Sequence, residues 1–211
     1  MIELTLKALI AYLLGSVLGS LLVGKLWGGV DIRQLGSGNA GGTNALRTKG
    51  PWFALWVMVI DIGKGWLASA VLPQVTLPMI SDTTSDQLLA KLVCSAAVVV
   101  GHVYPIWYSF RGGKGAATLI GIVLGLEPLA VVPVLCVWLG VLALTGYVGL
   151  ATIVAALAFP AYAILVVQSQ PLFLFGVSAA VFVIFTHRSN LARMRAGTEN
   201  RAMRIWLLRP R

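Results

Sequence analysis

The sequence predicts an all-α, polytopic integral membrane protein, and three observations support this class. Hydrophobic residues make up 58% of the 211-residue chain and charged residues only 11%, whereas soluble domains are about 45–50% apolar and about 25% charged. The apolar residues form about seven runs that approach the roughly 20 residues of a membrane-spanning helix. The Lys and Arg residues flank apolar runs and do not line a folded basic face, so the formal charge of +9 indicates membrane topology and no nucleic-acid partner.

The spans are predicted in order along the chain, as one membrane-embedded domain over 1–211. The first segment lacks a small-residue cleavage site and is predicted to be a retained anchor. The fourth is short and ends at Pro128. The predicted ranges are 4–27, 52–72, 87–107, 115–126, 128–146, 149–168 and 171–187.

The distribution of positive residues predicts the orientation. With seven spans, three cationic segments fall on one side, which the positive-inside rule makes cytoplasmic. The amino terminus is then outside and the carboxyl terminus cytoplasmic. The opposite loops contain Asp82 and Asp86. The cationic segments contain Arg33, Arg47 and Lys49, then Arg111 and Lys114, and finally Arg188, Arg193, Arg195, Arg201, Arg204, Arg209 and Arg211.

The first polar segment, GSGNAGGTNALR, follows the first span. It satisfies G-x-G-x-x-G, but a dinucleotide site requires a βαβ unit and membrane spans flank this one. Glycines can still direct consecutive N–H groups at an anion. Side chains add donors, and the guanidinium of Arg47 can bind phosphate in a bidentate way. We therefore favour an anion site over a flexible connection, formed by Gly36, Ser37, Gly38, Asn39, Gly41, Thr43, Asn44 and Arg47.

The second polar segment, GHVYPIWYSFRGGKGAAT, places two cations beside glycines just before an apolar helix. The unpaired N–H groups of a helix N-terminus suit phosphate. The spacing is not that of a Walker A loop. The alternative is a positive-inside loop with capping glycines. His102 is expected to be packed or hydrogen-bonded. The candidate binding residues are Arg111, Gly112, Gly113, Lys114, Gly115 and Thr118.

The third polar segment, THRSNLARMRAGTEN, follows the last span and contains His187, Arg188, Asn190 and Glu199. A basic juxtamembrane tail would be attracted to anionic lipid. That description suits residues 201–211, in which Trp206 and its apolar neighbours predict an interfacial anchor. It explains the histidine, the amide and the carboxylate less well.

Two charged residues, Asp61 and Lys64, lie inside the second predicted span. Charges within a membrane segment are costly and are usually paired or functional. A spacing of three residues places them on one helix face, where they can pair. We favour a structural ion pair, and the alternative is that Lys64 faces an anion site.

Together the three polar segments resemble the bacterial acyl-phosphate:glycerol-3-phosphate acyltransferase family, the PlsY type. The order and spacing of the segments match over nearly the whole chain, and DIGKG at 61–65 is a weaker match. The resemblance implies seven spans in the bacterial cytoplasmic (inner) membrane and an active site at the cytoplasmic face. It also implies transfer of an acyl chain from acyl phosphate to the 1-hydroxyl of glycerol 3-phosphate. Neither acyl-CoA, acyl carrier protein, a metal nor another cofactor is expected.

The resemblance also implies residue roles. Ser37 and the first loop would hold acyl phosphate, Arg47 and Lys114 would offset phosphate charge, and His187 and Asn190 would position glycerol 3-phosphate. Arg188 and Glu199 are further candidate substrate-binding residues. The proton acceptor stays open between His187 and an acyl phosphate oxygen, and Ser37 as a covalent nucleophile is a third mechanism.

Two other function classes compete with this interpretation. An anion or phosphate transporter would place binding groups near the bilayer midplane, often in inverted repeats. Here the polar segments gather at one predicted face. A purely structural membrane protein would leave three phosphate-friendly segments without an explanation.

Overall fold

A computed structural model describes residues 1–76, 86–203 and 205–208, and every regular element in these ranges is helical. The chain divides into two compact units, Met1–Leu126 and Glu127–Arg211. The predicted all-α membrane class is confirmed. The predictions that concern Asp82, Arg204, Arg209 and Arg211 lie outside the described residues.

The first unit begins with a helix that is broken after Ser16. Further along, Gly50 with φ +87° and Pro51 start the next long helix, because proline suits the first helical turn. The carboxylate of Asp86 accepts a hydrogen bond from the Leu89 amide at 2.9 Å and caps another helix. The helices are α1 (Ile2–Ser16), α2 (Gly19–Leu26), α3 (Gly42–Lys49), α4 (Pro51–Trp66), α5 (Gln87–Val103) and α6 (Ala116–Leu126).

Helix α1 packs against α5, and α4 packs against α6. Glycines lie at both contacts, where a Cβ atom would collide with the backbone of the partner helix. These are Gly15 and Gly101 between α1 and α5, and Gly65 and Gly121 between α4 and α6. Small residues at such positions let helix backbones approach closely, which is the usual basis of helix packing in membranes.

In the second unit, α7 contacts α8 and α9, and α10 packs against α9. Helix α7 ends at Gly146, whose φ of +72° is left-handed, as is common at helix C-termini. The chain bends by 51° between α10 and α11. The helices are α7 (Val131–Thr145), α8 (Val148–Ala155), α9 (Ala158–Tyr162), α10 (Gln170–Thr186) and α11 (Arg188–Arg195).

The described part of the carboxyl-terminal tail returns to the end of α7. The indole Nε1 of Trp206 donates to the Leu144 carbonyl at 3.0 Å. The guanidinium of Arg201 lies 4.0 Å from the centre of the Trp206 ring and 4.5 Å from that of Tyr147. Leu207 stays exposed. These contacts hold the segment in place, and its insertion into a membrane interface stays a prediction.

Six of the predicted spans correspond to helices or bent helix pairs long and apolar enough to cross a membrane. The remaining one, predicted at 115–126, forms the 11-residue helix α6. At 1.5 Å per residue this is about 16 Å, about half of the apolar thickness of a bilayer, so α6 is too short to cross it alone. The candidates are Pro51–Gln74, Gln87–Tyr108, Pro128–Thr145, Val148–Val167, and the pairs Ile2–Ser16 with Gly19–Leu26 and Gln170–Thr186 with Arg188–Arg195.

Candidate active site

A buried ion pair stabilises the break between α1 and α2, where the helix axis bends by 47°. The Nζ of Lys64 lies 2.9 Å from Oδ1 of Asp61 and donates to the carbonyls of Gly15 and Val17 at 3.0 and 2.7 Å. Asp61 Oδ1 accepts a hydrogen bond from the Gly19 amide at 3.1 Å. The predicted structural ion pair is confirmed. The three donors of Lys64 have partners here, so the alternative of a free cation facing an anion site does not hold in this geometry.

The first polar segment (residues 36–47) begins with a glycine-rich loop, here called the first glycine loop, which is organised by the side chain of Asn44. Its Nδ2 donates to the carbonyls of Ile32, Leu35 and Asn39 at 2.9–3.1 Å. Its Oδ1 accepts a hydrogen bond from the Ser37 amide at 2.9 Å. These contacts use the amide of Asn44 to shape the loop, although the sequence predicted a direct substrate contact. The loop is therefore pre-formed and not a flexible connection.

Glycine is required at one turn of this loop. Gly36 has a φ of +57°, and a Cβ atom there would collide with the Asn44 side chain and lie 2.8 Å from Thr48 Cγ2. Gly38 is also left-handed, with a φ of +71°. The turn exposes the side chain of Ser37. The backbone thus presents a hydroxyl that a chain with side chains at these positions could not place in this way.

The surface of the first loop carries the remaining polar side chains. Ser37, Thr43 and Arg47 are exposed, whereas Asn39 and Gly41 are partly buried. Gly41 is the N-cap of α3, and Thr43 lies in its first turn. The first N–H groups of a helix have no partner within the helix and carry partial positive charge. The exposed hydroxyls, this helix end and the Arg47 guanidinium give the loop the chemistry of an anion site.

Residues 111–115 of the second polar segment, here called the second glycine loop, lie against the end of α5. The amides of Gly112 and Gly113 donate to the carbonyls of Val103 and His102, both at 3.1 Å. These two N–H groups are therefore used within the protein, and this geometry does not support the predicted binding of a substrate by Gly112 and Gly113. The glycines instead allow the loop backbone to approach α5.

Helix α6 begins directly after this loop. Gly115, with φ +86°, accepts at its carbonyl the first helical hydrogen bond, from the Leu119 amide at 2.8 Å. Lys114 is partly buried and Arg111 is exposed. Thr118 has no exposed surface, and the contact between its side chain and a substrate stays a prediction. Arg111 and Lys114 are the cations of this segment, and they precede the start of α6.

Arg33 connects the two glycine loops, and the sequence did not identify this role. Its guanidinium pairs with Asp31 at 2.8 Å and donates to the carbonyls of Tyr108 and Arg111 at 3.3 and 3.1 Å. The hydrogen bond from Arg33 lowers the pKa of Asp31, and the carboxylate raises the pKa of Arg33. The Asp-x-Arg spacing was the only local signal, because the carbonyl partners lie far away in sequence.

In the second unit, His187 lies buried at the junction of α10 and α11. Its Nδ1 lies 2.9 Å from the Val183 carbonyl. Because a carbonyl only accepts hydrogen bonds, Nδ1 carries a hydrogen in this contact. In the neutral ring Nε2 is then the basic nitrogen. The tautomer is therefore suited to accepting a proton at Nε2.

Glu199 fastens the segment after α11 to that helix. Its carboxylate accepts hydrogen bonds from Asn190 Nδ2 and Arg193 Nε, both at 2.6 Å. The Glu199 side chain is 5% exposed. It therefore orients Asn190, and this geometry does not support the predicted substrate contact of Glu199. The sequence also missed Arg193, which was counted only as a topological charge.

Arg188 remains on the surface of the second unit. Its guanidinium lies 4.4 Å from the centre of the Phe185 ring and donates to the Phe185 carbonyl at 3.0 Å.

The contacts of Arg33 bring the first two polar segments together within the first unit. The third segment is ordered by its own contacts within the second unit.

Comparison with known proteins identifies the family. The family model described as glycerol-3-phosphate acyltransferase matches residues 5–197. A glycerol-3-phosphate acyltransferase from Geobacillus kaustophilus (strain HTA426) is 41% identical over 191 residues, which cover 90% of this chain and 92% of the relative.

Two solved structures of PlsY (YgiH), an integral membrane glycerol 3-phosphate acyltransferase, are also similar. The glycerol 3-phosphate form has a TM-score of 0.81 and 30% identity, and the alignment covers 94% of both chains. The lysophosphatidic acid form has a TM-score of 0.79 and 29% identity, again over 94% of both chains. The family match over most of the chain, the sequence identity and the shared helical membrane fold show that the chain belongs to the glycerol-3-phosphate acyltransferase family.

Proposed function

We propose that this acyltransferase uses acyl phosphate as its donor and acylates the 1-hydroxyl of glycerol 3-phosphate. The products are lysophosphatidic acid and inorganic phosphate. The observation that carries the proposal is the pre-formed first loop, which exposes Ser37, Thr43 and Arg47 beside the start of α3. The similar PlsY structures are described as glycerol 3-phosphate and lysophosphatidic acid forms, which supports this acceptor and this product.

The two units are proposed to act as one acyltransferase domain over 1–211. Ser37 and the first loop bind the phosphate of the donor, while Arg47 and Lys114 offset the charges of the two phosphates. A guanidinium suits this task because it forms bidentate hydrogen bonds with phosphate. His187 and Asn190 position glycerol 3-phosphate, and the Glu199 contact orients the Asn190 amide.

The reaction requires little activation by the protein. The hydroxyl oxygen attacks the acyl carbonyl carbon, the bond from that carbon to the phosphate oxygen breaks, and phosphate leaves with the electron pair. The protein mainly positions the reactants and stabilises developing negative charge. We propose that an acyl phosphate oxygen takes the hydroxyl proton directly while His187 positions the acceptor.

Donor choice is tested with the purified protein in detergent. The acceptor is glycerol 3-phosphate, and the donors are palmitoyl phosphate, palmitoyl-CoA and palmitoyl-acyl carrier protein. Lysophosphatidic acid is measured by mass spectrometry and released phosphate by colorimetry. We expect product only from palmitoyl phosphate. Product formed at equal rates from the thioesters would refute the donor assignment.

The proton step is tested with His187→Gln. A positioning role predicts a higher KM for glycerol 3-phosphate with the acidic limb of the pH–rate profile retained. General base catalysis supplies about 10²–10⁴-fold, so a loss of that size in kcat, together with loss of the acidic limb, would make the imidazole the base instead.

The orientation in the bacterial inner membrane is proposed from the positive-inside rule. Single cysteines at Lys49, Thr83 and Thr198, in a protein without Cys94 and Cys136, report the sides by labelling with an impermeant maleimide. We expect the first and last positions to react only from the cytoplasm and the middle position only from outside. Labelling of positions 83 and 198 from the same side would contradict this topology.

A further inference from the structure

His102 lies buried between the ion pair at the helix break and the second glycine loop. On one side its Nδ1 is 3.5 Å from Oδ1 of Asp61. On the other side its carbonyl accepts the hydrogen bond from Gly113, the residue directly before Lys114. The backbone of His102 therefore binds the loop of Lys114, while its side chain lies beside Asp61.

The contact between Gly113 and the His102 ring leaves no room for another side chain. A Cβ atom at Gly113 would lie 3.0 Å from Cε1 and 3.1 Å from Cδ2 of the ring, and it would collide with Nε2. The preceding residue, Gly112, is equally confined, since a Cβ atom there would be 2.7 Å from Pro105 Cδ. The imidazole of His102 thus occupies the space that a side chain at Gly113 would need. A smaller side chain at 102 should relieve the clash that a side chain at 113 creates.

The same helix break also holds the first glycine loop. Ser20, in the first turn of α2, donates from its hydroxyl to the Ala40 carbonyl at 2.9 Å. The amide of the neighbouring Gly19 donates to Asp61. One end of α2 therefore contacts the loop of Ser37 directly and reaches the loop of Lys114 through Asp61 and His102.

We propose that Asp61 and His102 are positioning residues for acyl transfer: they set the place of the Gly113–Lys114 backbone relative to the loop of Ser37 and Arg47. The inference rests on the proposed function, because it assumes that these loops bind the phosphates. It adds a role for two buried residues. A displacement of about 1 Å of a positioned group can reduce a rate about 100-fold. A small shift of this loop should therefore lower the rate of acyl transfer even if the protein stays folded.

The test is a double-mutant cycle on the full chain. Gly113→Ala places a Cβ atom against the ring, and His102→Asn removes the far part of the ring while keeping an N–H donor near the position of Nδ1. We expect Gly113→Ala to lower kcat/KM for acyl transfer about 100-fold. The double variant should recover about tenfold of this loss, because contacting residues show non-additive effects.

Gly63→Ala is the matched control. Gly63 lies on α4 between Asp61 and Lys64, and a Cβ atom there has no neighbour within 4 Å. This variant should keep the wild-type rate. A merely structural role of His102 predicts that rate loss follows the loss of thermal stability in all variants. A positioning role predicts that Gly113→Ala loses rate with an unfolding temperature close to that of the wild type, or that the rescue restores rate beyond any gain in stability.

A second measurement separates this inference from the proposed function. The rise in unfolding temperature caused by inorganic phosphate is compared in the wild type, both single variants and the double variant. If the wild type does not transfer palmitate from palmitoyl phosphate, the proposed function fails. The inference is then decided by whether the substitutions at Gly113 and His102 have non-additive effects on the phosphate-induced rise in unfolding temperature. Strictly additive single effects in both assays, or wild-type rates in Gly113→Ala, would overturn the positioning role.

Discussion

Two groups of polar residues share the first unit but differ in exposure. Asp61 and Lys64 are 1% and 3% exposed, and their charged atoms contact each other and the backbone at the helix break. Ser37 and Arg47 are exposed on the first loop. Both groups appear in the sequence as polar residues of an apolar chain. The exposure of a polar side chain therefore distinguishes residues that stabilise the helices from residues that can bind a substrate.

The largest effect is expected from breaking the buried pair. Lys64→Ala leaves the Asp61 carboxylate buried without its cation and removes two hydrogen bonds at the break. Removing one partner of a buried pair costs about 3–5 kcal/mol. Yield and unfolding temperature in detergent measure this loss. Lys49→Ala, which changes an exposed lysine, is the control, and equal stability of the two variants would remove the distinction between the groups.

The opposite pattern is expected for Arg47→Ala. Losing a charged partner of phosphate costs about 2–5 kcal/mol, so kcat/KM should fall by about 30-fold or more while the unfolding temperature stays near that of the wild type. Arg47→Lys should recover part of the rate because it restores charge without the bidentate geometry. Normal rates at subsaturating concentrations of both substrates would show that Arg47 does not bind phosphate.

Ser37→Ala should have a smaller effect. Loss of one hydrogen bond to a charged group costs about 1.5–3 kcal/mol, or about 10- to 100-fold in rate. The variant should still turn over because direct transfer needs no nucleophile from the protein. A stoichiometric phosphate burst without glycerol 3-phosphate, present in the wild type and absent in Ser37→Ala, would instead establish a covalent mechanism.

The smallest effect concerns the partly exposed pair of Asp31 and Arg33. Because the pKa of Asp31 is lowered in the folded protein, the pair stabilises fully above the unfolded pKa of about 3.9. This contribution is lost as the pH falls through the lower folded pKa. Asp31→Asn should cost up to about 1 kcal/mol at pH 7. Thermal unfolding of both proteins across acidic pH checks this, and a difference that grows on acidification would contradict the sign.

Sequence patterns accounted for features that depend on neighbours along the chain. Hydropathy identified the apolar helices, because crossing a bilayer requires length and apolarity that composition reveals directly. The three-residue spacing of Asp61 and Lys64 was sufficient to predict their ion pair.

Tertiary structure decided which polar residues remain available. The partners of Lys64 at Gly15 and Val17, and those of Arg33 at Tyr108 and Arg111, lie 47–49 and 75–78 residues away. No short repeat in the sequence indicates a contact between residues so far apart along the chain. By itself the sequence determined the membrane class, the helical segments and the residue types of the site. Only the packing of helices against one another decided which of those residues became structural supports and which kept an exposed face, because burial and hydrogen bonding depend on what lies opposite each side chain.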